Sequence, residues 1–323
     1  MEILRIGFCF GKGSISMNLS LLNSLCYSAG WFWCVLFGVY GHSIIASIGA
    51  IFLILFQLYC TKIKDIGLYV QDLILVVFTA LLGLLLEMFF IQINLIHYAN
   101  TAKMFPPIWI VFLYPLFSLL INHSLKIIKK NYLISFLFGF LGAPLSYIAG
   151  ISLGGLTFPY PLLQTWTILG ICWGLFLCLI TKIANIVEKA TAETLEDRDS
   201  KTNLKLLYDG ECPICKREIC ILQKRDIKTK INFIDISSKA FSPLEHNNID
   251  YQTAMSEIHA IDGKGNLLVG IPAFATVYAR CQLLVISTLL RIPFIKRILK
   301  PLYTLFAKNR LRFTGRMNTN IKK

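Results

Sequence analysis

The sequence predicts an all-α transmembrane bundle of about six helices, followed by an α/β domain. Three observations lead to this fold class. Hydrophobic residues make up 55% of the 323 residues and charged residues only 15%, below the level of about a quarter that is usual in soluble proteins. Of the 32 Lys and Arg residues, 23 follow residue 183. Long apolar runs fill the part before that point, and strand and helix patterns alternate after it.

Six apolar segments in the first part approach the thickness of a membrane. A hydrocarbon core of about 30 Å is crossed by roughly 20 helical residues. The segments lack the period-two alternation of barrel strands, and only helices satisfy their own backbone hydrogen bonds in lipid, so each segment is predicted to be a helix. They span residues 21–40, 42–60, 68–93, 105–125, 132–153 and 162–179.

Lys and Arg in the short loops predict the orientation of the bundle. They fall in the N-terminal segment, the second loop, the fourth loop and the exit from the sixth helix, whereas the alternate loops contain only Lys103. By the positive-inside rule, both termini are expected in the cytoplasm, which is a reducing compartment. The residues that establish this asymmetry are Arg5, Lys12, Lys62, Lys64, Lys126, Lys129, Lys130, Lys182 and Lys189.

Ionisable residues inside the predicted helices are candidate functional residues, because charge is costly in a bilayer. Glu87 lies deep in the third segment, and Asn122 and His123 lie near the end of the fourth. The structural alternative is that Glu87 is protonated or paired with a neighbouring helix, and that His123 lies at the headgroup level. Asp72 is expected to be close enough to the interface to be solvated.

Three short segments of the membrane half form a recognisable pattern. They are Pro-Ile-Trp at 107–109, Asn-His-Ser-Leu at 122–125, and Gly-Ala-Pro-Leu-Ser-Tyr at 142–147 followed by Gly150. In these segments the membrane half resembles a bacterial multi-pass membrane family known only as a domain of unknown function. The resemblance covers about residues 21–183 and implies no activity. The chain has Glu87 where that family tends to have Asp, and Ala143 where a second Gly is usual.

A polar segment, residues 184–203, is predicted to be the linker between the two halves. The linker is expected to begin as an extension of the sixth helix. The predicted organisation is therefore an N-terminal segment at 1–20, the membrane domain at 21–183, the linker, a soluble domain at 204–311 with a basic amphipathic C-terminal part, and a basic tail at 312–323.

A Cys-x-x-Cys pair directly follows a short strand pattern at 204–208 and opens a helical stretch. Residues three apart in a first helical turn face the same side, so the sulfurs of Cys212 and Cys215 can approach each other without backbone movement. Pro213 suits the first helical position, which needs no amide hydrogen. This arrangement is typical of a redox-active dithiol.

The position of each cysteine predicts its role in thiol exchange. Free N–H groups and the helix dipole at the start of the helix favour a thiolate on Cys212, and Lys216 and Arg217 add positive charge. Cys212 is therefore expected to be the attacking thiol. Cys215, one turn further on and less exposed, is expected to be the resolving thiol.

The remaining elements predict a thioredoxin-like order, β-α-β-α-β-β-α, with the dithiol after the first strand. Strands are predicted at 231–236, 257–262 and 267–270, and a helix begins at Pro272. Thioredoxins carry a cis-proline before the third strand, but this chain has Ala-Met-Ser at 254–256. Substrate binding through that element is therefore not predicted.

The motif Asp-x-x-Cys-x-x-Cys, here Asp209, Cys212 and Cys215, resembles that of the bacterial DCC family of thiol-disulfide oxidoreductases. The resemblance covers about residues 204–311. It implies dithiol exchange by the two cysteines, with Asp209 orienting the turn or relaying protons. Further matching segments are Phe-Ile-Asp-Ile at 233–236, Glu-Ile-His-Ala-Ile-Asp-Gly at 257–263 and Tyr-Thr-Leu-Phe-Ala-Lys-Asn-Arg at 303–310.

Other interpretations of these residues stay open. The thiols could form a redox sensor that does not turn over, or a vestigial pair. Asp209 could be a turn and cap residue that only accepts backbone hydrogen bonds. A structural zinc site would need two more ligands beyond the pair, although the sequence has no second Cys-x-x-Cys. The candidates for those ligands are Cys220, His246, His259 and Cys281.

The end of the chain is strongly basic, with no acidic residue after Asp262 and 12 Lys or Arg residues. Between Arg291 and Lys300 these basic residues interleave with apolar ones at amphipathic spacing. In a protein already anchored in a membrane, attraction to anionic lipid is a simpler account of this pattern than nucleic-acid binding. Membrane lipids are therefore the expected partner, and nucleic acid is not.

The sequence thus predicts a membrane-anchored thiol-disulfide oxidoreductase of the protein-disulfide reductase type, with a cytoplasmic dithiol and no cofactor. Its partner would be a protein or small-molecule thiol or disulfide. The two family resemblances place it in a bacterial inner membrane. The alternative hypothesis is a transporter or membrane scaffold in which Glu87 and His123 line a path and the dithiol domain senses or regulates.

Overall fold

A computed structural model describes residues 18–99, 105–226 and 230–313 of the protein, with side chains as far as Arg310. All six apolar segments are helical, as predicted. Arg5, Lys12 and Lys103 of the predicted loop charges, most of the N-terminal segment and residues 314–323 of the basic tail lie outside the described residues. The membrane bundle comprises α1 (Leu19–Val39), α2 (Ser43–Lys64), α3 (Ile66–Gln92), α4 (Ile108–Ile121), α5 (Tyr132–Ser152) and α6 (Leu162–Asp199).

Among the described residues, five helices are long and apolar enough to span a membrane, and α4 is shorter. The 14 residues of α4 extend about 21 Å, against the 20 or so residues predicted for this segment. The helix cannot begin at Phe105, because Pro106 and Pro107 follow and the residue before a proline avoids helical angles. Its last turn ends at Ile121, and a turn and a short 3₁₀ helix, Lys126–Lys130, lead to α5.

A two-stranded antiparallel ribbon joins two loops at the end of the bundle opposite the basic loops. It pairs β1 (His97–Tyr98) with β2 (Leu156–Thr157), so that Tyr98 faces Leu156. The loop between α3 and α4 is thereby fixed to the loop between α5 and α6.

The segment predicted to be a linker is mostly a continuous helix. The 38 residues of α6 extend about 57 Å, nearly twice the thickness of the hydrocarbon core. Val187, Ala190 and Thr194, on the part beyond the bundle, are buried, which sequence polarity did not indicate. The irregular connection is therefore limited to residues 200–203, and the rest of the predicted linker packs against the soluble domain.

The soluble domain has the predicted order of strands and helices around a four-stranded sheet. The order in the sheet is β4-β3-β5-β6, with β3 parallel to β4 and the other neighbours antiparallel. Its elements are β3 (Leu204–Tyr208), α7 (Pro213–Arg225), β4 (Ile231–Asp235), α8 (Tyr251–Ser256), β5 (His259–Ile261), β6 (Leu267–Val269), α9 (Ile271–Arg280), α10 (Leu284–Arg291) and α11 (Pro293–Phe313).

Small residues bring α5 and α6 into close contact. Gly170 and Gly174 have the four-residue spacing typical of tightly packed membrane helices. A Cβ atom added to Gly139 of α5 would lie 2.5 Å from the backbone oxygen of Trp173 and 2.9 Å from the Cα atom of Gly174. The backbones therefore touch at Gly139, and no side-chain movement could make room there.

We predict that Gly139→Ala lowers the stability of the bundle, because the methyl group would push two helix backbones apart. Overpacking of this kind costs about 1–3 kcal/mol. Gly142→Ala is the matched control, since a Cβ atom there has no described neighbour within 4 Å. Thermal denaturation of the detergent-purified protein should show a lower midpoint for Gly139→Ala alone, and equal midpoints for the two variants would contradict this packing.

Candidate active site

The predicted strand, turn and helix around the dithiol are present. β3 ends at Tyr208, and Cys212 occupies the N-cap position of α7 with extended backbone angles, φ −80° and ψ 118°. Pro213 is the first helical residue, as expected. The turn is fastened to the end of β4, because the backbone N–H of Gly210 donates to Oδ1 of Asp235 over 2.9 Å.

The exposure of the two sulfurs is the reverse of the prediction. Cys212 is fully buried, whereas Cys215 is partly exposed. The turn holds Cys212 inward through its attachment to β4 and through the backbone N–H of Cys212, which donates to the carbonyl oxygen of Asp209. One helical turn later, Cys215 lies in the wall of a cavity.

Asp209 is a buried residue with two kinds of contact. Its Oδ1 atom accepts the backbone N–H of Glu211 over 3.0 Å, which is the turn-capping role that the sequence allowed. Its Oδ2 atom lies 3.5 Å from Nη2 of Arg310. The carboxylate is therefore paired with a cation as well as with the turn.

Arg310, on α11, is a residue of this site that sequence reasoning missed. Its Nη1 atom lies 3.7 Å from Sγ of Cys215, and its Nη2 atom donates to the carbonyl oxygen of Met255 over 3.0 Å. The signal for it was present, since Arg310 ends the segment 303–310 that resembles the DCC family. Lys216 and Arg217, which were expected to supply positive charge, are exposed on α7, so the buried cation beside the dithiol is Arg310.

Residues 206–316 match the family described as DCC1-like thiol-disulfide oxidoreductase. The C-terminal domain belongs to this family. Residues 20–179 match DUF2878, which is described as a protein of unknown function. These two matches confirm both resemblances found in the sequence.

An uncharacterized chloroplastic protein of Arabidopsis thaliana is 38% identical over 122 residues, which are 38% of this chain and 57% of that protein. The chain therefore spans a little over half the length of this relative. No solved structure matches the chain.

The environment of the DCC1-like dithiol disfavours a thiolate on Cys215. Burial raises the pKa of the Cys215 thiol to about 12, and its hydrogen bond with Cys212 acts in the same direction. The positive charge of Arg310 acts in the opposite direction and lowers this pKa. Cys215 therefore keeps its proton at neutral pH, and Arg310 makes the loss of that proton easier.

A cavity of about 340 Å³ opens beside the dithiol. This volume is within the range of small-molecule sites. Cys215 and Arg310 lie in its wall together with polar and aromatic groups from α7, α9, α11 and the connection between α8 and β5. Those groups include Glu218, Glu257, Phe274, Tyr278, Tyr303 and Phe306.

The alternative zinc ligands do not gather around the pair. Cys220 is exposed on the outer face of α7, while Cys281 is buried in the core beneath the sheet. His246 stacks on Phe241, and His259 lies within β5. Within the ranges that the structure describes, no group of three or more His, Cys, Asp or Glu side chains could hold a metal ion.

The two candidate residues of the membrane domain lie in separate clusters. Glu87 accepts hydrogen bonds from three buried tyrosine hydroxyls. His123 is buried with its Nε2 atom 2.8 Å from Oδ2 of Asp72. Asp72 is fully buried, so the expectation that it would be solvated is wrong. Asn122 also donates to Asp72 over 2.9 Å. Asp72 and Glu87 are 15 residues apart on α3, which separates the clusters by about 22 Å.

We predict that Arg310→Gln slows the alkylation of Cys215, because loss of the positive charge raises the pKa of this thiol further and decreases its thiolate fraction. The measurement is the rate of iodoacetamide labelling of the Cys215 peptide by mass spectrometry between pH 8 and pH 11, in a Cys212→Ala background. The rate should increase with pH in every variant and should be several-fold lower in Arg310→Gln.

Lys308→Gln is the control for this experiment, since it removes the same charge from an exposed position of α11. It should label at the parental rate. If Arg310→Gln labelled as fast as Lys308→Gln, the electrostatic role of Arg310 would be wrong.

Proposed function

We propose that the protein is a membrane-anchored thiol-disulfide oxidoreductase of the protein-disulfide reductase type, with its dithiol on the cytoplasmic side of a bacterial inner membrane. The observation that carries this proposal is the geometry of the pair. Two free cysteines occupy the first turn of α7, beside a buried Asp–Arg pair and a cavity. No cofactor is needed for the exchange itself.

The exchange proceeds through a mixed disulfide. The Cys212 thiolate attacks one sulfur of a substrate disulfide, and the other substrate sulfur leaves as a thiolate that takes up a proton. Cys215 then loses its proton and attacks the sulfur of Cys212, which releases the second substrate thiol. The substrate gains two electrons and two protons, and the Cys212–Cys215 disulfide that results is reduced again by a donor dithiol.

The roles of the two thiols follow from the local chemistry. Cys212 is the N-cap residue of α7 and makes the first attack, whereas the pKa of about 12 keeps Cys215 protonated until the second step. Arg310 adjoins Cys215 and would assist its deprotonation by lowering the pKa of the thiol, whereas the negative charge of Asp209 raises that pKa. Because Cys212 is fully buried, a local opening must precede the attack on substrate.

Membrane lipids are a second proposed partner, through α11. Phe294 at its start packs edge-to-face on Phe78 of α3, with ring centroids 5.6 Å apart, so this end of α11 lies beside the bundle. Ile298, Leu302 and Leu305 are exposed along one side, among Lys296, Arg297 and Lys300. Apolar side chains between basic ones are typical of a helix in the interface of an anionic membrane.

A transporter or scaffold with a regulatory dithiol domain is the second candidate function. It is favoured by a cavity in the bundle beside Glu87. The cavity does not support the hypothesis that Glu87 and His123 line one path. His123 contacts Asp72 and lies outside the lining of that cavity.

We predict that a Cys215→Ser variant accumulates a mixed disulfide on Cys212, because the resolving thiol is missing. The variant is isolated from cells under non-reducing conditions, and the attached molecule is identified by mass spectrometry. Cys212→Ser is the matched control and should capture nothing. Capture by Cys212→Ser alone would exchange the roles of the two thiols, and capture by neither variant would contradict the enzymatic proposal.

We predict that a reporter fused after Lys323 is active in the cytoplasm, because the Lys-rich loops and the dithiol domain are at the same end of the bundle. A fluorescent protein that folds only in the cytoplasm and alkaline phosphatase, which is active only in the periplasm, provide paired readouts. A fusion after Gly41, between α1 and α2, should give the opposite pattern. Phosphatase activity after Lys323 would overturn the proposed topology.

A further inference from the structure

A second cavity, of about 320 Å³, lies within the membrane bundle. It is bounded by α1, α4, α5 and α6, and Glu87 of α3 contributes to its wall. The Nε1 atom of Trp31 on α1 donates to Oγ of Ser146 on α5 over 2.9 Å, which closes one side. Aromatic and aliphatic side chains form most of the lining, and the aromatic ones include Tyr27, Trp31, Trp109, Tyr114, Tyr147 and Trp173.

Glu87 is fully buried behind a layer of tyrosines. The hydroxyls of Tyr114 and Tyr147 both donate to its Oε1 atom, and the hydroxyl of Tyr98 donates to Oε2, each over 2.6 Å. A side chain that accepts three O–H donors has the bonding pattern of an ionised carboxylate, which is acceptor-only. The distances are those of charge-assisted hydrogen bonds.

An ionised Glu87 would have no cationic neighbour in the part of the cavity wall that the structure describes. Of the lining residues that the structure describes, none is Lys, Arg or His. An ionised carboxylate in a membrane domain is costly unless it is paired. The aromatic rings do not offset the charge, because their faces are themselves negative.

We propose that this cavity binds an organic cation, either an amine or a quaternary ammonium group. The ligand would meet the ring faces and the phenol oxygens of Tyr114 and Tyr147, which Glu87 polarises from behind by accepting hydrogen bonds from their hydroxyls. Aromatic cages of this kind recognise quaternary ammonium groups through cation–π attraction. A bare metal ion fits less well, since it requires several oxygen ligands and the carboxylate is covered.

The same chemistry could belong to a free cation or to the headgroup of a lipid. The proposal is independent of the oxidoreductase function, because no residue of the dithiol site takes part. Its test uses the full-length protein in phosphatidylglycerol nanodiscs and in phosphatidylcholine nanodiscs.

The probe is choline, and its uncharged carbon isostere, 3,3-dimethylbutan-1-ol, is the comparison. Three of the five tryptophans line the cavity, so tryptophan fluorescence reports binding. In phosphatidylglycerol nanodiscs, choline should bind about tenfold or more tightly than the isostere, as expected for a cation–π and charge contribution. Weaker choline binding in phosphatidylcholine nanodiscs identifies the lipid headgroup as a competing ligand, whereas equal binding identifies a site for free cations.

Glu87→Gln should weaken choline binding about tenfold and leave binding of the isostere unchanged. Glu196→Gln, at an exposed position of α6, is the matched control and should behave like the parent. Tyr114→Phe keeps the ring and removes one donor, so it should weaken choline binding even if Glu87→Gln fails to fold. Equal affinity of the parent for choline and its isostere, or no choline binding, would overturn the proposal.

Discussion

The position of the dithiol depends on one uninterrupted helix. α6 crosses the bundle and continues to Asp199, where it becomes the surface on which α9 and α10 pack. Arg291 of α10 pairs there with Asp197 and lies 3.7 Å from Glu193, and Thr276 of α9 donates to Asp197 over 2.7 Å. These contacts join the soluble domain to the long apolar helix of the bundle, so they hold the dithiol domain against α6.

That attachment places α11 between the bundle and the dithiol. Its first turn contacts Phe78 of α3 through Phe294, and 16 residues later Arg310 reaches Cys215 and Asp209. Tyr303 lies between these points, and its hydroxyl oxygen accepts the backbone N–H of Ile258 over 2.8 Å, which fixes α11 to the residue before β5. A shift of α11 at the membrane would therefore change the charge beside Cys215.

Local patterns in the sequence were sufficient to predict the strand, turn and helix around the dithiol. They were insufficient to predict the contacts that these elements make with the rest of the domain. Strand, turn and helix around Cys212 follow from propensity and from Pro213, and these are interactions within a few residues. The exposure of Cys212 depends on how the turn attaches to β4, and the role of Arg310 depends on a contact across 95 residues. Neither the exposure of Cys212 nor the contact of Arg310 leaves a periodic pattern in the sequence. For Arg310, the family resemblance of the segment that ends at residue 310 was the only indication.

The two buried carboxylates of the bundle, Asp72 and Glu87, have different kinds of hydrogen-bond partner. Asp72 contacts His123 and Asn122, and Asn122 in turn accepts a hydrogen bond from the ammonium group of Lys129, so this network reaches a cation. The network joins α3 to the end of α4 and, through Lys129 and Glu188, to α6, so its role in packing explains it.

Glu87 has only neutral hydroxyl donors among its described contacts. Placing an acidic residue at the centre of a membrane helix costs about 2.5–3.5 kcal/mol on insertion scales. A domain that served only as an anchor would be more stable with an apolar residue at this position, because apolar side chains pack against lipid and helix without that cost. Three tyrosines from separate elements nevertheless converge on the carboxylate. Their convergence beside a cavity is evidence that the bundle contributes a binding site as well as attachment to the membrane.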